Sequence, residues 1–130
     1  MKLVIGGRAQ GKCAFVLARE GLAPDDVCDG EVCPLDPLPE KPVFNHLHLL
    51  ARRLLEAGSD PVDTLTRYAG MHPETIFISD EVGCGVVPLD PFERVWREAA
   101  GRVCCALAEQ SDTVLRVYVG IPAVIKGEKA

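Results

Sequence analysis

Hydrophobic positions fall into two alternating kinds of run. Short apolar stretches at residues 1–5, 42–45, 75–79 and 113–119 read as strands, and the segment 75–79 is β-branched enough to lie inside a parallel sheet. Between them the period changes. Leu47, Leu50, Ala51, Leu54 and Leu55 mark one buried helix face, ended by Gly58. Asp60-Pro61 opens the next helix as N-cap and first residue, with Val62, Leu65, Tyr68 and Ala69 inward. Asp90-Pro91-Phe92-Glu93 starts the longest helix with a capping-box pattern. Phe92, Val95, Trp96, Ala99, Ala100, Val103, Cys104 and Leu107 form its apolar stripe, with Trp96 expected in the core. An earlier helix should run from Gly11 or Lys12 to about Glu20, stop at Gly21 and be well covered. Residues 22–41, rich in proline and aspartate, read as a long loop with room for one short strand. Gly120-Ile121-Pro122 reads as a turn before a short strand at 123–126, and the last residues as frayed. Strands alternating with helices predict an α/β domain whose mostly parallel sheet carries its ligand at the strands' carboxyl ends.

The first strand runs into Gly6-Gly7-Arg8-Ala9-Gln10-Gly11-Lys12-Cys13 and then a helix. From Gly6 to Lys12 the spacing fits the phosphate-binding loop G-x-x-x-x-G-K-[ST], with Cys13 in place of the terminal hydroxyl residue. Glycines let successive backbone N–H groups curl toward phosphate oxygens, and the helix N-terminus adds a favourable field. Lys12 would reach the outer phosphates as a mobile charge. The competing reading is a strand-to-helix turn that binds nothing.

Asp80 and Glu81 end the 75–79 strand, where nucleotide-binding proteins hold magnesium or orient a nucleophile. Acids that merely solvate a turn are the alternative. The two glycines and the proline among residues 83–88 specify a backbone path just beyond them. His46 and His48 lie near a strand end, where surface or helix-start roles are the ordinary fate of such residues, and His46 is the better functional candidate. His72 is expected to be solvated.

Composition narrows the field. The 130 residues suit one domain, and 48% hydrophobic residues can fill a core. A formal charge of −5 without a basic stripe argues against a nucleic-acid partner. No apolar run approaches the roughly 20 residues that span a bilayer. Six cysteines lack zinc spacing: Cys28 and Cys33 are too far apart for C-x-x-C, and Cys104-Cys105 are neighbours. With no signal segment, a reducing cytoplasm is expected, with the thiols buried or incidental.

Glu81-Val82-Gly83-Cys84-Gly85-Val86-Val87-Pro88, the segment Phe92 to Val103 with its R-x-x-A-G-R, and Val117-Tyr118-Val119-Gly120-Ile121-Pro122 with Lys126 resemble the bifunctional adenosylcobinamide kinase / adenosylcobinamide-phosphate guanylyltransferase family. The amino-terminal loop is similar to that family's G-G-x-x-x-G-K-S. The resemblance implies a three-layer phosphate-loop domain of the RecA-like kind over residues 1–130, assembled as a homotrimer. It also implies ATP or GTP with Mg²⁺, the ion held by Asp80 and Glu81, and a corrinoid substrate. The implied chemistry is phosphoryl transfer to the side-chain hydroxyl of adenosylcobinamide, followed by GMP transfer.

Three departures qualify this. Cys13 is a soft, poor magnesium ligand. The family's GMP-accepting histidine segment is missing. Asn45 stands where the family ends its next strand with an acid. Between Gly21 and Pro42 the only basic residue is Lys41, whereas Asp25, Asp26, Asp29, Glu31, Asp36 and Glu40 crowd the stretch with negative charge. A stable guanylyl-histidine is therefore not expected, with His46 the remaining route to one. Two classes stay open: a kinase without the guanylyl half, and a catalytically degenerate nucleotide- or corrinoid-binding subunit or regulator of the same pathway.

Overall fold

A computed structural model describes residues 1–82 and 90–127. In chain order these are β1 (Lys2–Gly6), α1 (Lys12–Glu20), β2 (Val27–Asp29), β3 (Val43–Asn45), α2 (Leu47–Glu56), α3 (Pro61–Met71), β4 (Ile76–Asp80), α4 (Pro91–Gln110), β5 (Thr113–Tyr118) and β6 (Ile121–Lys126). The glycine-rich path at 83–88 and the tail from 128 lie outside the described residues. The strands form one sheet in the order β2-β3-β4-β1-β5-β6. All neighbours are parallel except β5 and β6. This is the expected α/β fold of the phosphate-loop kind, in three layers.

Period-two alternation sorts the strand residues onto two covered faces. Leu3, Phe44, Phe77 and Val114 point to one side and pack with Leu47, Leu50 and Leu54 of α2, Leu65 and Tyr68 of α3, and Val103 and Leu107 of α4. Val4, Val43, Ile78, Leu115 and Val117 point to the other and meet Val16, with Phe15 beside it, on α1. Each fully buried side chain of this size contributes roughly 1.5–3 kcal/mol. The caps follow the sequence. Asp60 Oδ1 accepts from Val62 N at 3.0 Å, Asp90 Oδ1 accepts from Phe92 N at 2.8 Å, and Gly21 closes α1 in the left-handed region.

The proline-rich stretch holds the short strand it had room for, β2, at the sheet edge. Cys28 and Cys33 from this stretch are buried in the core, one of the two roles expected of them. Burial and the Cys33 hydrogen bond push the Cys28 thiol up to about 12, so it is an inert, protonated group. Other expectations change. α1 is covered on one face only, with Ala14 and Ala18 exposed. Val95 is 52% exposed despite its place in the apolar stripe of α4. His72 is half-buried rather than solvated, its ring 4.2 Å from that of Tyr68. β6 begins at Ile121, because the reversal from β5 is made by Val119 and Gly120, both at positive φ.

The chain leaves β1 toward β2 at one edge, whereas β4 feeds α4 and then β5 on the far side of β1. Successive connections thus diverge at the β1–β4 pair. A crevice at the carboxyl ends of such a pair is where open α/β sheets bind ligands.

Candidate functional site

A cavity of about 770 Å³ opens at that point. Gly6 and Asp80 are register partners in the parallel β1–β4 ladder, so the glycine-rich loop and the acidic strand end leave the sheet at one level. Gly6 has a steric reason to be glycine. A Cβ there would stand 2.6 Å from Val117 O of β5. Ala9 and Gly11 take positive φ, and Gln10 ties the loop to the β5–β6 turn: its Oε1 accepts from Val119 N at 2.7 Å and its carbonyl from Gly120 N at 2.8 Å. The loop is held in a curl, with the N-terminus of α1 at its end.

Lys12 is not a loose charge. It is only 7% exposed, donates from Nζ to Gly7 O at 2.8 Å and lies 2.7 Å from Asp80 Oδ1. The other carboxylate oxygen, Oδ2, faces His48 Nε2 at 3.4 Å. Asp80 N donates to His48 Nδ1 at 3.2 Å, which makes Nδ1 the acceptor and places the imidazole proton on Nε2, toward the carboxylate. Burial lowers the pKa of His48, with the Lys12 and His46 charges adding to the effect and Asp80 opposing it. His48 is thus a neutral clamp on Asp80. A surface or helix-start role is the sequence expectation for His48, and the structure instead buries it in the site. The signal was available in its helical position, since His48 precedes Ala51 by three and Leu55 by seven and so sits on the apolar face of α2.

The remaining predicted residues divide. Arg8, Ala9, Gln10, Gly11, Lys12, Cys13, His46, Asp80 and Glu81 all line the cavity. Glu81 faces Arg116, whose Nη2 donates to Oε2 at 2.7 Å and whose Nε stands 2.6 Å from Oε1. Burial raises the pKa of Cys13, so its thiol is protonated. His46 is the N-cap residue of α2, in left-handed backbone, with Nδ1 2.7 Å from Asp29 Oδ1. Trp96 is a wall of the cavity and not a core residue. Its Nε1–H donates to His48 O at 2.7 Å, and the Arg52 guanidinium lies 4.9 Å from its ring. Arg52 in turn pairs with Glu93 at 2.7 Å and joins α2 to α4.

Residues 44–125 match the family described as cobinamide kinase / cobinamide phosphate guanyltransferase, which is more than half of the chain. The chain belongs to that family. The matched region begins in β3 and ends in β6, so it includes Asp80, Glu81, His48 and Trp96. The bifunctional adenosylcobalamin biosynthesis protein CobP of Pseudomonas aeruginosa is 40% identical over 53 residues, which cover 41% of this chain and 31% of that protein. The family match starts after the glycine-rich loop. Among the described residues no helix is long and apolar enough to cross a membrane.

Proposed function

We propose that this chain binds ATP or GTP with its phosphates on the 6–13 loop and transfers the γ-phosphoryl group to the side-chain hydroxyl of adenosylcobinamide, as a step in making or salvaging cobalamin. The observation that carries the reading is the Lys12–Asp80 pair, 2.7 Å apart on the wall of one cavity at the β1–β4 strand ends. Lys12 exchanges the Gly7 carbonyl for phosphate oxygens, and the N–H groups at the start of α1 take the rest of the phosphate charge. The substrate oxygen bonds to the γ-phosphorus, the bond to the β–γ bridging oxygen breaks, and the nucleoside diphosphate leaves. The hydroxyl proton passes to solvent, and Asp80, oriented by His48, is left to the magnesium ion.

Magnesium suits part of this donor set, because it takes one or two carboxylates alongside waters and phosphates. Asp80 would hold it. Glu81 joins only by giving up Arg116, and Cys13 offers no oxygen. When bound, the ion would neutralise charge on the phosphates. A homo-oligomer and a corrinoid partner belong to the same proposal. The oligomer is supported by the exposed apolar side chains Tyr118, Val119, Ile121, Val124 and Ile125 along the β5–β6 hairpin.

A second reading, a nucleotide-binding subunit without turnover, is favoured by the protonated Cys13 thiol in the loop. The two part on one experiment. Adenosylcobinamide incubated with γ-labelled ATP or GTP, magnesium and the protein should yield labelled corrinoid phosphate. Nucleotide binding by calorimetry without labelled product supports the degenerate subunit.

A further inference from the structure

A second group of side chains stands at the neighbouring strand ends. Asp29 closes β2, Glu31 follows two residues later, and His46 caps α2 directly after β3. Asp29 and Asn45 are register partners in the parallel β2–β3 pair, so Asp29 and His46 leave the sheet side by side. One donor atom from each of Asp29, Glu31 and His46 lies within 4.8 Å of the others. We propose that Asp29, Glu31 and His46 form a binding site for one divalent transition-metal ion of the class that accepts mixed imidazole and carboxylate ligands, such as zinc, manganese or cobalt.

Three donors each about 2.0–2.2 Å from one ion stand roughly 3.3–3.8 Å apart in a tetrahedral or trigonal arrangement, so the set, now within 4.8 Å, closes by up to about 1–1.5 Å through side-chain rotation. The side chains have room for that movement, since Asp29 and His46 are half-buried and Glu31 is exposed. Their backbone does not need to move. Gly30 N donates to Asn45 O at 2.9 Å, and Arg53 donates to Gly30 O at 2.9 Å and to Cys33 O at 2.7 Å. A Cβ on Gly30 would stand 2.7 Å from His46 O, so the turn that carries both carboxylates is pressed against the start of α2. Glu31 N donates to Asp29 Oδ1 at 2.9 Å and orients that carboxylate.

A plain His46–Asp29 ion pair accounts for two of the three groups and leaves Glu31 without a part. An ion uses all three. It takes the place of the proton between Nδ1 and Asp29, with the ring N–H then on Nε2. Imidazole selects against magnesium, which separates this site from the oxygen donors beside the loop. Three protein ligands leave coordination positions open, and Glu31 and His46 line the same cavity as Lys12.

The proposal does not rest on the nucleotide reading. The test uses the full chain, reduced, with Co²⁺ alone and neither nucleotide nor magnesium. Calorimetry should show one equivalent per chain, and visible spectra the weak d–d bands of oxygen and nitrogen ligation. Glu31→Gln, at an exposed position that folding does not need, and His46→Asn, which tolerates the left-handed backbone, should each weaken binding at least tenfold. Lys12→Ala should leave Co²⁺ binding unchanged, so failure of the phosphate-loop reading would be seen separately. Parent-like affinity in folded Glu31→Gln, or the intense ultraviolet charge-transfer band of cobalt–thiolate ligation, overturns the site.

Discussion

Lys12 and Asp80 meet at 2.7 Å although 68 positions separate them in the chain, because β1 and β4 lie side by side and in register. The pair closes the site against itself: the lysine that would bind phosphate is held by the strand-end carboxylate and the loop's own Gly7 carbonyl. A triphosphate must outcompete both contacts, and its greater negative charge is what allows it to.

Lys12→Ala should therefore act on two quantities. Nucleotide affinity should be lost in calorimetry, and the unliganded protein should lose on the order of 1–3 kcal/mol, because a half-buried carboxylate is left without its partner. Denaturant unfolding measures the second effect. Unchanged nucleotide affinity would refute the phosphate-loop assignment.

Cys13→Ser should strengthen magnesium-dependent ATP or GTP binding. A hydroxyl is the hard oxygen ligand magnesium prefers, whereas the present thiol is protonated and soft. The comparison is affinity with and without magnesium for both proteins. No magnesium-dependent gain in the folded variant would mean that Cys13 does not limit the site.

His48 ties stability to pH, and the sign follows from its lowered pKa. An unfolded imidazole takes up its proton near 6.5, whereas the folded one does so only at lower pH. Unfolding therefore takes up a proton between the two values. The stabilisation is fully present above about 6.5 and is lost as pH falls through that window. Melting temperature followed as pH is lowered from neutrality through about 6.5 and below should fall for the parent and fall less for His48→Gln, whose amide oxygen still accepts from Asp80 N. Asp29 belongs to a lower window. Its burial would raise its pKa, but the His46 hydrogen bond and the Glu31 amide lower it below 3.8, so its contribution is lost only in stronger acid. Equal slopes in parent and variant would remove His48 from the account.

Incubation with α-labelled GTP and magnesium should leave no GMP on the protein. His46 is the histidine nearest to the role, but Asp29 and Glu31 crowd it and repel an attacked phosphate. Intact-protein mass spectrometry at alkaline pH, where phosphoramidates survive, reads the result. An added GMP mass that disappears in His46→Asn would make His46 the acceptor.

What could be read from the linear order was whatever depends on neighbours in sequence. Short apolar runs mark β1, β4 and β5, stripes of period 3.6 mark α2, α3 and α4, and the caps at Asp60 and Asp90 depend on a side chain two or three residues from the amide it holds. The loop from Gly6 to Cys13 and the acids at its partner strand's end were visible for the same reason. Tertiary structure alone decided the rest. β2 is three residues long at a sheet edge, too short to show a period, and exists because β3 offers it a ladder. Lys12 is buried and paired because the register of β1 with β4 places a carboxylate beside it. Trp96 and His48 belong to the cavity because α2 and α4 cross there, a relation between residues 48 positions apart. Apolar character shows that a side chain leaves water, but the face it meets is set by the packing of elements distant in sequence.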